Sequence, residues 1–225
     1  MLEIEREVSV TAAEEIEYKL GFEKNKFYYI AKRIMDILGS LAGIIIMFIP
    51  CAIVGILIKK ESRGPIFFKQ TRVGKHGKEF KMYKFRSMVI DAEEQLAKLK
   101  AKNEMSGPMF KMKEDPRVTK IGRFIRKTSI DELPQLINIL KGEMSLVGPR
   151  PSLPKEVAQF TEYQKLRLMA TPGLTCYWQV SGRNNIGFKE WMEMDVQYCR
   201  DRSIWVDVKL IFMTVGVLFG DKNAC

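Results

Sequence analysis

The protein has 225 residues, 46% of them hydrophobic, which predicts one domain with enough apolar side chains for a core. Its 37 lysine and arginine residues against 27 acidic residues give a formal net charge of +10, which favours anionic partners such as nucleic acid, acidic lipid or phosphorylated ligands. The four cysteines form no C-x-x-C pair and His76 is the one histidine, which argues against zinc knuckles, disulfide frameworks and multi-histidine metal sites. Ser-His-Asp or Cys-His catalysis would depend on His76 alone.

A polar segment and a long apolar run open the chain. Residues 1–26 are rich in glutamate and lack the apolar core of a signal peptide, so we treat them as a dispensable extension. Ile37–Ile58 contains no charged residue, and as a helix it would be about 33 Å long, enough to cross a bilayer core of about 30 Å. Pro50 interrupts this run and basic residues flank both ends, which favours a re-entrant helix that bends at Pro50 and returns to the cytoplasmic side. An ordinary kinked transmembrane helix and a buried core helix are the alternatives.

The next residues predict a β-hairpin with a basic face. Gly64–Met88 contains two stretches rich in β-branched and aromatic residues, and Gly74–Gly77 between them is typical of a turn. In the second stretch, Phe80–Arg86, aromatic residues are interleaved with lysines. Such interleaving occurs in nucleic-acid-binding proteins, but beside a membrane anchor we interpret it as a half-buried strand with a cationic face.

The remaining periodic segments predict helices. They cover Asp91–Glu104, Pro154–Met169, Trp191–Asp201 and Ile204–Phe219. The second and the last of them have apolar faces that would suit either a membrane surface or the core. The expected fold is α+β: mainly helical, with a small β-hairpin or sheet, a re-entrant membrane helix hairpin kinked at Pro50 and amphipathic interfacial helices. The expected domains are the extension 1–26, the re-entrant helix 27–62 and a catalytic domain 63–225 at the cytoplasmic face.

Thr128–Pro151 carries the most informative pattern of charges. Ser129 has the spacing of a helix N-cap whose capping box is completed by Glu132, an apolar stripe follows, and Gly142 ends the predicted helix. Asp131 and Glu132 would then lie at the positive end of a helix dipole, which also attracts phosphate. The neighbouring cations are Arg123, Arg126, Lys127 and Arg150. Two carboxylates among cations suggest a site for a metal ion and phosphates, although they could simply cap a surface helix.

Three motifs in this order carry a family resemblance. TSIDELPQLINILKGEMSLVGPRP, with FFKQTRVGKHGKEFKMYKFRSM before it and TPGLTCYWQVSGRN after it, resembles the bacterial sugar transferases, the monotopic polyprenyl-phosphate phosphoglycosyl transferases. The resemblance covers about Phe27–Gly220 and implies the minimal catalytic form, without the N-terminal multi-span region of larger members. It implies transfer of a sugar 1-phosphate from a UDP-sugar to undecaprenyl phosphate or a related polyprenyl phosphate, with release of UMP. The same re-entrant hairpin is implied.

The resemblance also implies roles for individual residues. Asp131 would be the nucleophile that forms a covalent phosphosugar ester, and Glu132 beside it a magnesium ligand; both are candidate ligands of a Mg²⁺ cofactor. Spacing alone does not choose which carboxylate attacks. The candidate substrate-binding residues are Arg126, Arg150 and Arg183, as phosphate or uridine clamps, Lys84 and Arg86, which could meet the nucleotide or the lipid headgroup, and Asp207, as an additional acidic site residue.

Two other classes of protein fit part of the pattern. A membrane-anchored basic binding protein would need no catalysis, but it does not explain carboxylates set among arginines. A glycosyltransferase that moves only the sugar usually has a D-x-D motif, and the sequence offers only Glu193-Met194-Asp195 in a helical context. The expected location is the cytoplasmic face of the bacterial inner membrane, against the inner leaflet. Expected partners include downstream glycosyltransferases and a second copy in a homodimer, but not nucleic acid.

The sequence departs from the family at two places. Ile49 precedes Pro50 where many relatives have a small polar residue, and Cys176 and Tyr177 lie in a loop that could bear on the choice of sugar. The sugar, the prenol length and the glycan pathway are open.

Overall fold

A computed structural model describes residues 21–99, 108, 112, 114–182 and 186–220. The fold is mostly helical with two small sheets, as expected. The helices are α1 (Lys26–Glu61), α2 (Ala92–Leu99), α3 (Lys120–Lys127), α4 (Gln135–Lys141), α5 (Pro154–Val157), α6 (Glu162–Lys165), α7 (Tyr177–Val180), α8 (Phe188–Asp201) and α9 (Ile204–Gly220), and the strands are β1 (Phe67–Val73), β2 (Glu79–Phe85), β3 (Ser145–Val147) and β4 (Gly173–Thr175).

Helix α1 is longer than the uncharged run that predicted it. It has 36 residues and is assigned as helix through Pro50, with the Asn25 side chain accepting a hydrogen bond from the Tyr28 amide at its start. Within the described residues it is the one helix long and apolar enough to cross a membrane. Only 17% of its most apolar 18-residue stretch is buried. The re-entrant hairpin and its bend at Pro50 stay predictions.

The predicted β-hairpin is confirmed. Strands β1 and β2 pair antiparallel, with Phe67 opposite Phe85 and Val73 opposite Glu79. The turn contains His76 at φ 53° and Gly77 at φ 77°, a left-handed backbone that glycine adopts without strain. Phe80 and Met82 face the core with residues of α4, while the lysines of the same strand keep a cationic surface.

The single helix predicted over Pro154–Met169 is wrong. The segment divides into α5, α6 and a 3₁₀ turn over Leu166–Met169. Thr161 starts a new helix because it forms a capping box with Gln164. The two side chains accept hydrogen bonds from each other's backbone N–H groups, so the chain does not need to continue the preceding helix to satisfy them. Helix α2 covers part of the predicted Asp91–Glu104, whose remainder lies outside the described residues apart from Asp91. Helices α8 and α9 are close to their predicted bounds.

A short parallel sheet, whose pairing the sequence did not predict, joins two segments of the region after α1. Strand β3 pairs with β4, with Ser145 opposite Gly173 and Val147 opposite Thr175. The backbones approach so closely at Gly148 and Gly173 that a Cβ on either would meet backbone atoms at 2.1 Å or less. The sheet leads directly into the Pro149–Arg150 segment, which it therefore holds in place.

Candidate active site

Asp131 and Glu132 lie in a 3₁₀ turn, Ile130–Glu132, that we call the carboxylate turn. The predicted Ser129 N-cap is wrong: Ser129 has a left-handed backbone, φ 56°, and its side chain makes no capping hydrogen bond. Helix α4 begins only at Gln135, after Pro134, and ends at Gly142 as predicted. The two carboxylates therefore precede the helix rather than form its first turn, and cations from elsewhere in the chain must neutralise them.

Two cations from different elements contact Glu132. Its Oε1 accepts hydrogen bonds from Lys84 Nζ on β2 at 2.7 Å and from Arg150 Nη1 at 3.0 Å. Burial alone would raise the pKa of the Glu132 carboxyl, but Lys84 and Arg150 together outweigh burial and hold that pKa well below its ordinary value. The structure thus brings together Glu132 and Arg150 of one motif with Lys84 of another.

Asp131 is the less well paired of the two carboxylates. It is 8% exposed, and its nearest cation is Lys84, 3.8 Å from Oδ2. Within the described ranges, no hydrogen bond to its carboxylate is present. Burial raises the pKa of Asp131, the neighbouring Glu132 raises it further, and Lys84, Arg126 and Arg150 oppose these effects. A carboxylate with few hydrogen bonds and a raised pKa is the more basic of the pair, which suits a nucleophile.

The buried Arg167 and the half-buried Arg72 hold the segment from Arg150 to Ser152. Arg167 donates through Nη2 to the Arg150 carbonyl at 2.6 Å and through Nη1 to Ser152 Oγ, and it pairs with Asp195 at 2.6 Å. From β1, Arg72 Nη1 donates to the Pro151 carbonyl at 3.1 Å. Burial, with repulsion from Arg150, lowers the pKa of Arg72 to about 10. The Arg150 side chain is therefore presented to Glu132 from a clamped segment.

The sequence does not predict the roles of Arg72, Arg167 and Asp195. Arg167 was assigned to a long helix, and Asp195 was noted only within a weak D-x-D-like match. No local pattern identifies their roles, because the contacts join residues far apart in the chain.

The other candidate residues lie elsewhere. Arg126 is exposed and acts on Asp131 only through its charge. Arg86 is buried and donates to the Arg63 and Ser62 carbonyls after α1. Asp207 is fully buried and contacts Lys32, Tyr28 and Tyr198. Arg183 lies outside the described residues.

Comparison of the sequence with known proteins identifies the family of this chain. The model of the bacterial sugar transferase family matches residues 27–221. The chain belongs to the bacterial sugar transferases. The resemblance drawn from the three motifs is thereby confirmed.

Individual relatives of this sugar transferase come from several bacteria. The chain is 50% identical over 207 residues to the galactosyl transferase CpsE of Streptococcus agalactiae serotype III, covering 90% of this chain and 45% of CpsE. It is 44% identical over 199 residues to the undecaprenyl-phosphate galactose phosphotransferase of Salmonella typhimurium, covering 86% of this chain and 41% of that protein. It is 36% identical over 189 residues to the exopolysaccharide production protein ExoY of Rhizobium meliloti, covering 82% and 84%. The chain thus spans less than half of the length of the first two.

The carboxylates of the sugar transferase fit a magnesium ion that arrives with phosphates. The described residues contain no group of three or more His, Cys, Asp and Glu side chains that could hold a metal by themselves. In the described part of the chain, no hydrogen bond engages the Asp131 carboxylate or Glu132 Oε2, so these oxygens could act as metal ligands. Magnesium is commonly held by one or two carboxylates together with substrate phosphates and water, so this small donor set fits.

The pairing of Glu132 in this sugar transferase predicts a pH-dependent contribution to stability. The pKa of the Glu132 carboxyl is lower in the folded protein than in the unfolded chain. Ionised Glu132 therefore stabilises the fold at any pH above its pKa in the unfolded chain, and this stabilisation is lost as the pH falls towards its pKa in the folded protein. In metal-free buffer, thermal unfolding should show Glu132→Gln less stable than the wild type at neutral pH, with the difference shrinking below about pH 4.5. Glu79→Gln, at an exposed position, is the matched control. A difference that stays constant down to about pH 3 would contradict the assigned pairing.

Proposed function

We propose that this chain transfers a sugar 1-phosphate from a UDP-sugar to undecaprenyl phosphate and releases UMP, as the first membrane step of a bacterial glycan pathway. The observation that carries the proposal is the carboxylate turn, where a poorly paired Asp131 lies beside a Glu132 held by Lys84 and Arg150. Family membership supports it, as does the name of the Salmonella relative, an undecaprenyl-phosphate galactose phosphotransferase.

The chemistry proceeds in two balanced steps. A carboxylate oxygen of Asp131 attacks the phosphorus that bears the sugar, and the bond from that phosphorus to the bridging oxygen breaks, so UMP leaves with the oxygen. A phosphate oxygen of the lipid then attacks the same phosphorus, the bond to Asp131 breaks, and the carboxylate is restored. Lys84 and Arg150 lie where they can hold phosphate oxygens and oppose the repulsion between anionic nucleophile and substrate.

Magnesium is the proposed cofactor, with Asp131 and Glu132 as its protein ligands. When bound, Mg²⁺ would neutralise phosphate charge near the carboxylates. Arg126 is proposed as a further source of positive charge for the substrate phosphates, because it is exposed and its charge acts on Asp131.

Contacts at both ends of α1 support a re-entrant helix on the cytoplasmic face of the inner membrane. Near the start of α1, Lys32 Nζ donates to the Val147 carbonyl at 2.9 Å. At its end, the Glu61 carboxylate accepts a hydrogen bond from the Lys120 amide at 2.7 Å. Both partners belong to the region after α1, which supports a helix whose two ends lie on the same side of a membrane. The exposed apolar residues of α9, Trp205 and Phe212, suit an interfacial helix. A homodimer and downstream glycosyltransferases stay predictions.

Product analysis tests the proposed function. The protein, in nanodiscs with undecaprenyl phosphate and Mg²⁺, is incubated with a panel of UDP-sugars, and UMP is separated from UDP. We expect UMP to accumulate with one or a few sugars, only when lipid acceptor and metal are both present in the multiple-turnover assay. UDP would mean that the sugar alone is moved. No nucleotide release from folded protein across the panel would favour the membrane-anchored binding protein.

A further inference from the structure

A groove lies between the membrane helix and the carboxylate turn. Helix α1 contributes one face of the groove, including Met47 and Cys51, and the β-hairpin contributes Phe67 and Phe85. Leu133, directly after the carboxylate turn, and Ile137 of α4 close the other side. The groove therefore joins the element predicted to enter the membrane to the element that carries Asp131 and Glu132.

The size and lining of the groove suit a short piece of hydrocarbon. Its volume is about 130 Å³, close to the roughly 150 Å³ of an apolar cavity that holds benzene. The side chains that line it are apolar, and the rings of Phe67 and Phe85 stack with centroids 5.3 Å apart. Such a site would exclude water and would favour one isoprene unit over any polar part of a substrate.

The inner end of the groove is close to the reacting groups. Leu133 follows Asp131 by two residues, so their Cα atoms are at most about 7.6 Å apart. On β2, Phe85 lines the groove while its neighbour Lys84 contacts Glu132 at 2.7 Å. Because successive side chains of a strand point to opposite faces, Lys84 does not line the groove, and Leu133 is the residue that brings the groove near Asp131. A lipid phosphate at Asp131 would thus have Lys84 on one side and the apolar groove beyond Leu133 on the other.

The outer end opens among exposed apolar residues. Phe48 is 67% exposed and Ile137 is 43% exposed, and the adjoining turn of α1, Ile45–Ile49, is apolar throughout. The rest of a long hydrocarbon chain could therefore continue from the groove into the bilayer without crossing a polar surface.

We propose that this groove binds the isoprene unit next to the phosphate of the polyprenyl phosphate acceptor, and so sets the lipid phosphate against Asp131. This inference rests on the proposed function for the identity of the lipid. The groove holds the start of the chain only, so the acceptor is recognised by its first unit and the remaining units stay in the membrane.

Photocrosslinking tests the occupant directly. The probe is a polyprenyl phosphate with a diazirine in the isoprene unit next to the phosphate, added to the full chain in nanodiscs without UDP-sugar. Mass spectrometry should find adducts on residues that line the groove, such as Met47, Cys51 or Ile137. Unlabelled polyprenyl phosphate should compete, and an equal excess of phospholipid should not. Adducts confined to the outer face of α1, or equal competition by phospholipid, would overturn the proposal.

Substitutions that fill the groove give a second readout. Cys51→Trp and Ile137→Trp should each raise the concentration of polyprenyl phosphate needed for half-maximal transfer by about tenfold or more, because the isoprene unit loses its buried contacts. Cys51 and Ile137 lie on different helices, so a local folding defect at one position would not explain the same effect at both. Ile53→Trp, on the exposed face of α1, is the matched control and should leave this concentration unchanged. Equal effects of all three would overturn the groove assignment.

Failure of this inference can be separated from failure of the proposed function. Exchange of labelled UMP into UDP-sugar needs no lipid and reports the first chemical step alone. Exchange that persists in Cys51→Trp while lipid transfer weakens supports the groove. Absence of exchange in the wild type would reject the covalent step of the proposed function, whereas crosslinking would still report whether the groove binds the lipid.

Discussion

Asp131→Asn should abolish nucleotide release, with kcat falling by a factor of about 10³ or more. The amide is nearly the same size as the carboxylate but carries no charge and cannot form the phosphosugar ester. UMP exchange in the absence of lipid should be lost together with transfer. In the wild type, digestion after incubation with UDP-sugar should yield a peptide whose mass has increased by one phosphosugar at Asp131.

The same substitution should not destabilise the protein. Burial raises the pKa of Asp131 and no hydrogen bond to its carboxylate is present in the described part of the chain, so removing its charge relieves a cost of folding. Thermal unfolding of Asp131→Asn at or above the wild-type temperature would separate a chemical defect from misfolding. Asp91→Asn, at an exposed position, controls for loss of one carboxylate. Retained exchange in Asp131→Asn, or an adduct on Glu132, would reverse the assigned roles.

Local patterns predicted the parts of the fold that depend on neighbours in sequence. The hairpin follows from two alternating stretches around Gly74–Gly77, and Gly142 ends α4 because glycine adopts its left-handed backbone, φ 82°, at little cost. The Ser129 cap failed although its spacing was correct. Pro134 and the left-handed Ser129 delay the helix, and the charge of Glu132 is stabilised instead by Lys84 and Arg150.

Long-range contacts explain what sequence patterns could not predict. The uncharged run indicated a helix over Ile37–Ile58, yet α1 begins at Lys26 and includes Lys32, Arg33 and Asp36. These charges are tolerated because each has a distant partner: Arg33 donates to the Ile139 and Leu140 carbonyls at the end of α4, and Asp36 accepts from Ser145 Oγ at 2.9 Å. In the candidate site, too, local patterns predicted some residues and only long-range contacts revealed the others. The motifs supplied Asp131, Glu132, Lys84 and Arg150, but the arginines that clamp Arg150 became visible only in the folded chain.

Asp207→Leu should destabilise the protein by about 3–5 kcal/mol, because it leaves the Lys32 ammonium buried without its counterion. Lys32 Nζ lies 2.8 Å from Asp207 Oδ2, and Asp207 is fully buried. Tyr198 donates to the same carboxylate at 2.6 Å. The double variant Lys32→Met with Asp207→Leu should recover most of the loss, since it removes both charges together. Thermal unfolding of the wild type, of Asp207→Leu, of Lys32→Met and of the double variant, all in one detergent, measures the coupling between the two sites.

The same variants show whether the Lys32–Asp207 ion pair only stabilises the fold or also positions Arg150 in the candidate active site. Lys32 donates to the Val147 carbonyl, and Val147 is the last residue of the strand that leads to Arg150, so loss of the pair should loosen the segment that presents Arg150 to Glu132. We therefore expect Asp207→Leu to weaken UMP exchange as well as stability. Glu162→Gln removes an exposed pair with Lys165 and should cost less than about 1 kcal/mol with full exchange. If the double variant regains stability but not UMP exchange, Lys32 and Asp207 position Arg150 in addition to packing α1 against the rest of the protein. If it regains both stability and exchange, the ion pair serves only to pack α1.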